Sequence, residues 1–507
     1  MYARSWSRPY GEGGVGRSSF VAEFGLWTDE QSAAAEQIEA GLDEIDLVRV
    51  AFCDPHGLAR SKTLTVDAFR SVLRNGMDFS PGPFLFDTGH AVAVDFQAGD
   101  PGIGISEITG AGNFVLVPDP LTFQVLPGNG PRTAWILGDE HLRDGTPHPL
   151  SARHVLKKTA ARYTARGLTP VVGLEAEWYL TRRLDGPPGN SGNGFGLQGD
   201  APRVEAVNSG YQFNGDTAYA SVAAVTDPLA MDLVALGLPL RSMEHESGPG
   251  QVETTFSPML ALDTADAMLL FRTVVKQTCA RRGYHASFMS LPRVDSFDPS
   301  GWHLNQSIVD NSTGRNLFAA DSISGGISTE GKAYAEGLMD RARAYCLLSV
   351  PTINGYRRLG AEHSLSPTRI GWSFEDRGAM IRVVGGGSST HIENRVGEPS
   401  ANPYLNIAAQ LHAGLEGLTG FPGTTEPVTI GTPAHDGPYE TLPQSLPEAL
   451  EAFRAGPAAE LLGAPLAACL IKLKESEAAR YEAWAADARP TGTATTEWEQ
   501  REYFEHF

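Results

Sequence analysis

The stretch Gly301-Trp302-His303-Leu304-Asn305-Gln306-Ser307 sets His303, Asn305 and Ser307 at alternate positions. On a β-strand, alternate side chains leave the same face. One face of this strand therefore carries an imidazole, an amide and a hydroxyl. The pattern recurs with charge. Glu175 and Glu177 alternate within the apolar run from Val171 to Leu180, and Glu393 and Arg395 alternate within Thr390–Arg395. A sheet built from such strands cannot bury those groups without a ligand. Converging carboxylates with one histidine point to a site for metal and phosphate.

The bulk numbers narrow the ligand. The chain has 507 residues and a formal net charge of −20. That length supports two or more domains. The acidic balance argues against nucleic-acid binding, which depends on basic patches. An anionic substrate such as ATP would need divalent metal and locally placed arginines. No window reaches the length of apolar chain that a membrane helix needs, and the polar, Gly-rich start lacks a signal-peptide core. Cys53, Cys279, Cys346 and Cys469 are scattered, as expected of thiols in a reducing compartment. A cytoplasmic location is the expectation.

Punctuation divides the chain. Residues 1–30 read as a loose extension, dense in Gly and Ser, with the N-terminal domain over 31–146 and a catalytic domain over 147–507. Leu47–Phe52 alternates as a strand and Asp54-Pro55-His56-Gly57 ends it as a turn. Helices are predicted over Ser151–Arg166, with Ser151 as N-cap, and over Asp227–Leu236, Asp263–Arg282, Asn402–Leu418 and Ala458–Trp484, with another opening at Ser445. Asp185–Asp200 reads as a loop.

Further constellations accompany the first. The strand around Glu175 and Glu177 is apolar on both sides, so a merely solvated face does not account for its acids, and alternating carboxylates can hold divalent cations. In Met243–Glu253, Pro249-Gly250 suits the centre of a type II turn. A hairpin centred there would set Glu246 opposite Glu253, where like charges destabilise unless a cation intervenes. His303 adds a common metal ligand. Arginines are dense in Asn354–Leu359 and Trp372–Arg382, and their forks suit carboxylate and phosphate oxygens. Arg357 reads as an ordinary ion-pair partner.

Together with Ala401-Asn402-Pro403-Tyr404 and the Leu442–Leu450 segment, these blocks, in this order, resemble the glutamine synthetase family from about Leu47 to the C-terminus. The resemblance implies an α+β protein: a small N-terminal β-grasp domain, then a catalytic domain with a curved antiparallel sheet flanked by helices. It implies a homo-oligomeric ring, expected as a dodecamer, with active sites shared between neighbours. By motif, Glu177, Glu246 and Glu253 correspond to the ligands of one metal, and Glu175, His303 and Glu393 to those of a second. Two or three Mg²⁺ or Mn²⁺ ions are expected. Arg358, Arg395 and Gly301 correspond to glutamate-binding positions. Asn305, Ser307, Arg377 and Arg382 correspond to ATP-contacting ones, Arg377 also to a catalytic one. Asp54 matches the aspartate that reaches a neighbour's site to help deprotonate the amine. The implied reaction is ATP-dependent: glutamate becomes γ-glutamyl phosphate, which an amine then attacks.

The chain departs from the family at one place. Glutamine synthetases carry a flap glutamate shortly after the Tyr-Lys/Arg-Arg block, and that position here holds Leu365, with Glu362 and His363 nearby. The block expected to read Phe-Met-Pro-Lys-Pro is Phe288-Met289-Ser290-Leu291-Pro292, without the lysine. An apolar residue where an ammonium-binding acid belongs favours an amine with a carbon substituent. A γ-glutamyl-amide synthetase is the expectation; glutamine synthetase proper, using ammonia, is the alternative.

Overall fold

The computed structural model describes residues 18–128, 130–184, 194–320, 326–360, 363, 365–427 and 439–507. Most of the predicted Asp185–Asp200 loop, and Glu362, lie outside them.

The chain opens with helices α1 (Phe20–Phe24) and α2 (Asp29–Gly41). The loose extension expected over residues 1–30 is thus already structured from Phe20, because the local signals are strong. Ser19 caps α1, Gly25 closes it at φ 60°, Thr28 and Gln31 form a reciprocal capping box on α2, and Val21 packs on Val115 and Val117. Then follow β1 (Leu47–Cys53), β2 (Ala59–Thr65), α3 (Val66–Asn75), β3 (Met77–Phe79), α4 (Gly82–Leu85), β4 (Phe114–Pro118), β5 (Gln124–Val125) and β6 (Thr133–His141). They form one mixed sheet in the order β2-β1-β6-β4-β3, with β5 on β6. The β1–β2 hairpin and the parallel return of β6 beside β1 fit the β-grasp expectation.

The Pro147–Pro149 punctuation falls between β6 and α5 (Ala152–Thr164), which Ser151 caps. Beyond it come β7 (Leu168–Arg183), β8 (Val204–Ala206), α6 (Asp216–Ala235), β9 (Leu240–His245), β10 (Gln251–Phe256), β11 (Met259–Leu260), α7 (Ala261–Arg281), β12 (Tyr284–Ser287), β13 (Trp302–Asp310), α8 (Thr329–Ser349), α9 (Gly355–Arg358), β14 (Trp372–Phe374), β15 (Ile381–Val384) and β16 (His391–Asn394). The second sheet runs β14-β15-β16-β13-β7-β10-β9, antiparallel except for β14–β15, with β8, β11 and β12 added along the long strand β7. Helix α10 (Pro403–Gly420) is buried on almost every side and packs on α5, α7 and α8 behind the sheet. Asn402 caps it and Pro403 occupies its first turn. The C-terminal helices are α11 (Leu446–Ala455), α12 (Ala458–Leu462), α13 (Ala464–Ala488) and α14 (Glu497–Tyr503). The single helix read over Ala458–Trp484 is divided by Gly463 at φ 80°.

A buried arginine joins the two sheets. Arg272 on α7 donates to the carbonyls of Gly57, Pro399 and Ala401, and Asn402 donates to the Asp54 carbonyl. A Cβ on Gly57 would lie 2.8 Å from the Asn402 Cα, so the turn after β1 sits directly on the start of α10.

Candidate active site

The register of the second sheet sets charged groups side by side across its strands. Glu244 pairs with Glu253, and Glu253 with Glu177, across β9, β10 and β7. Glu175 faces His303 across β7 and β13. Asn305 faces Glu393, and Glu393 faces Arg382, across β13, β16 and β15. Gly173 opposite Asn305 leaves the room this needs, since a Cβ there would lie 3.0 Å from the Asn305 Cβ.

These groups open on a cavity of about 750 Å³, lined by Glu175, Glu177, Glu246, Glu253, His303, Arg358, Arg377, Arg382 and Arg395, with Phe213, Gln251, Asp298, His363 and Leu365 on its remaining walls. His303 Nδ1 lies 2.8 Å from Glu175 Oε1 and 3.6 Å from Glu393 Oε1. Asn305 donates to the other oxygen of Glu175 at 3.0 Å. Glu177 accepts the backbone N–H of Gly301 at 2.8 Å. Gly301 has a second use: a Cβ there would fall 2.6 Å from Arg358 Nη2.

The arginines are anchored, not loose. Arg358 is buried and donates to the carbonyls of Val396 and Arg395; burial lowers its pKa to about 10. Arg395 pairs with Glu393 at 2.5 Å and donates to the carbonyls of Arg377 and Leu365. Arg382 bridges Glu393 and Glu375, while its Nε is buried without a partner among the described residues. Arg357 is the ordinary ion pair the sequence suggested, held by Glu499 of α14 through both oxygens.

The acids divide by environment. Burial would raise the pKa of Glu175, but the His303 bond and charge and the Asn305 bond outweigh it and hold it low. Glu246 is pushed up to about 8 by burial and by Glu177, Glu244 and Glu175. Glu253 is raised by burial and by Glu175, Glu177, Glu246 and Glu244. Ligand atoms of Glu175, His303 and Glu393 lie within 4.8 Å of one another, and so do those of Glu177, Glu253 and His303. Hard oxygen donors with one imidazole, crowded against their own repulsion, fit divalent cations.

Several expectations change. Glu246 does not face Glu253. The Pro249-Gly250 turn forms as predicted, closed by the Gln251 N–H on the Gly248 carbonyl, with Gly250 at φ 75°. Ser247 and Gly248, however, are both left out of the ladder, the Ser247 carbonyl taken by the Tyr211 N–H, so Glu246 meets Gln251 and Glu244 meets Glu253. Ser307 lies further along β13, opposite Val171, and is not in the cavity lining. Asp54, expected to serve a neighbouring subunit's site, does not line this chain's own cavity. It is 0% exposed, one oxygen accepts the N–H groups of His56 and Leu58, and the other pairs with Arg60 at 2.7 Å.

Sequence reasoning also missed residues. Glu244 was legible as the acid two before Glu246. Glu375 holds Arg382 from a turn residue at φ 51°, and Phe213 reaches the cavity from an irregular loop; neither belongs to a periodic pattern.

Carboxylates gathered against their repulsion beside anchored guanidinium groups are suited to divalent cations and an anionic ligand. Residues 149–491 match the family described as glutamine synthetase, catalytic domain. The chain belongs to the glutamine synthetase family, whose ligases use ATP and divalent metal. It is 39% identical over 501 residues to the γ-glutamylanilide synthase of an Acinetobacter species, covering 96% of this chain and 98% of that protein. It is 28% identical to the glutamate–methylamine ligase of Methyloversatilis universalis over 92% of this chain and 97% of that one. Among solved structures, ligand-free GmaS superimposes with a TM-score of 0.72 at 27% identity, over 92% of this chain and 98% of that one.

Proposed function

We propose that this chain joins the γ-carboxylate of glutamate to an organic amine, at the expense of ATP, through γ-glutamyl phosphate. The observation that carries the choice of amine is Leu365. It stands 62% exposed on the cavity wall, its carbonyl accepts from Arg395, and by the motif resemblance it takes the position of the family's flap glutamate. The relatives named for anilide and methylamine products support the same choice.

Glu175, His303 and Glu393 would hold one Mg²⁺ or Mn²⁺, and Glu177 and Glu253 with His303 a second, with Glu246 beside them. When bound, the ions neutralise and polarise the phosphate oxygens. Arg382 and Arg377, both on the cavity wall, would receive the transferring phosphoryl group. Arg358 and Arg395 present guanidinium charge to the glutamate carboxylates. His303, with Asn305 beside it, holds Glu175 in its ionised form, and the Gly301 N–H orients Glu177. The amine lone pair then forms the C–N bond, the bond from the acyl carbon to phosphate oxygen breaks, and its electrons leave with phosphate. Asp298, the cavity acid outside both ligand groups, is placed to take the N–H proton. Asp54, which orders the turn after β1 and pairs with Arg60, would serve the neighbouring subunit's site in a ring. A ring of subunits and a reducing, cytoplasmic setting, with all four cysteines unpaired and buried, complete the reading.

Phosphate release from ATP with glutamate, Mg²⁺ or Mn²⁺ and a panel of amines tests it. Turnover with an organic amine well above that with ammonium is expected. Ammonium turnover equal to the best amine overturns the reading in favour of glutamine synthetase proper.

A further inference from the structure

Arg382 divides its guanidinium between two acids of different standing. Its Nη1 donates to Glu393 Oε2 at 3.0 Å and its Nη2 to Glu375 Oε2 at 2.5 Å. Glu393 is buried and shared. Its other oxygen takes Arg395 and lies 3.6 Å from His303 Nδ1, and it belongs to the group with Glu175 and His303 that suits a divalent cation. Two guanidinium groups gathered on one carboxylate oppose a cation at that carboxylate. Glu375 supplies the second negative charge, so that two acids face two arginines.

Glu375 is kept in place at a cost. It follows β14 with φ of 51°, a region in which a side chain is strained and glycine is the default. At the bend after β15 the chain does use glycine, Gly385 at φ 82°. The Glu375 N–H donates to the Val383 carbonyl, which fixes the residue beside β15. The neighbouring acid is occupied, since the Asp376 carboxylate accepts the Gly378 N–H of its own turn. The Glu375 carboxylate reaches Arg382 instead, and that bond holds its pKa below the ordinary value, so it is ionised at neutral pH. Backbone strain retained beside a functional group marks the side chain as one the site uses.

Without Glu375, Glu393 would be the one acid left to Arg382 among the described residues. A guanidinium fork closes on a single carboxylate with two parallel bonds when nothing else holds it. Arg382 would then turn from the cavity onto Glu393, and a cation at Glu393 would compete with two full guanidinium charges.

Resting on the ligand reading above, we infer that Glu375 is a positioning residue that draws one arm of Arg382 away from Glu393, leaving Glu393 free for a divalent cation and Arg382 aimed at phosphate. It touches neither cation nor substrate and acts through Arg382 alone.

The test measures Mn²⁺ affinity by calorimetry, with no nucleotide or substrate present. The full chain is compared with Glu375→Gln, Arg382→Gln and the double variant, with thermal melts to confirm folding. Glu375→Gln is expected to weaken Mn²⁺ binding by about tenfold. Arg382→Gln should bind Mn²⁺ at least as tightly as the parent. In the Arg382→Gln background, Glu375→Gln should change the affinity by less than about twofold, because the group it acts through is gone. Turnover gives a second readout: Glu375→Gln should lower kcat by about tenfold and leave the KM for glutamate unchanged. Equal weakening of Mn²⁺ binding in both backgrounds would reduce Glu375 to a plain negative charge and overturn the inference. So would parental Mn²⁺ affinity in Glu375→Gln. Glu393→Gln separates the two levels: if it leaves every Mn²⁺ site at parental affinity, the ligand reading itself fails.

Discussion

His303 Nδ1 sits between two acids that arrive on the strands on either side of it, 2.8 Å from Glu175 Oε1 and 3.6 Å from Glu393 Oε1. The same residue contributes to the group with Glu177 and Glu253. Replacing it should therefore disturb divalent binding at both places. In a calorimetric Mn²⁺ titration, His303→Ala is expected to weaken every tight site by at least about tenfold. Two sites at unchanged affinity would count against a shared ligand.

Glu253 is surrounded by Glu175, Glu177, Glu244 and Glu246. Glu253→Ala should abolish formation of γ-glutamyl phosphate, a fall of roughly a thousandfold or more in ADP release. Because it also removes a like charge, the metal-free variant should melt no lower than the metal-free parent. Retained turnover would remove Glu253 from the ligand set.

Arg382 spans Glu393 and Glu375 with two nitrogens. A lysine keeps the charge and loses the fork. Arg382→Lys is expected to lower kcat by about a hundredfold with little change in the KM for the amine. A rate within twofold of the parent would show that charge alone suffices.

Leu365→Glu places an acid on the cavity wall beside Arg395. The ratio of ammonium to organic-amine turnover should rise by about tenfold or more. An unmoved ratio would show that this position does not select the nucleophile.

A buried acid away from the site gives a pH prediction. Burial raises the pKa of Glu398 to about 7, against the pull of its bonds to the Thr352 N–H and hydroxyl. The folded value lies above the unfolded value of 4.5, so the native state holds the extra proton between them. Stability then falls as pH rises from about 4.5 through 7, by on the order of 3 kcal/mol. Glu398→Gln should melt close to the parent at pH 5 and above it at pH 8. Parallel melting curves across that range would contradict this.

What the sequence disclosed depended on period. Glu175, Glu177, His303, Asn305 and Glu393 lie on strands, where alternation alone assigns a face, and they meet as expected. The helices opened by Ser151, Asn402 and Ser445 were legible because a cap is a local event. Helix α8 was missed, its small and charged residues giving no clear stripe. The Glu246–Glu253 pairing failed because the connection between Glu246 and Gln251 takes up Ser247 and Gly248 as well as Pro249-Gly250, Ser247 binding a loop remote in sequence, and the register shifts by two. Asp54 was recognisable by its motif, but the closure of its turn on Arg60 and α10 depends on tertiary contacts that no motif encodes.

The row of acids, with His303 and Arg382, runs through the register of β9, β10, β7, β13, β16 and β15. A slip of one residue in any of these strands would turn its side chain to the opposite face. Phe213 and Leu365 obey no such constraint, since they stand on irregular segments. The fold thus separates what must be inherited unchanged from what is open to alteration. The acids, His303 and Arg382 are locked into a hydrogen-bonded lattice, while Phe213 and Leu365 reach the same cavity from loops.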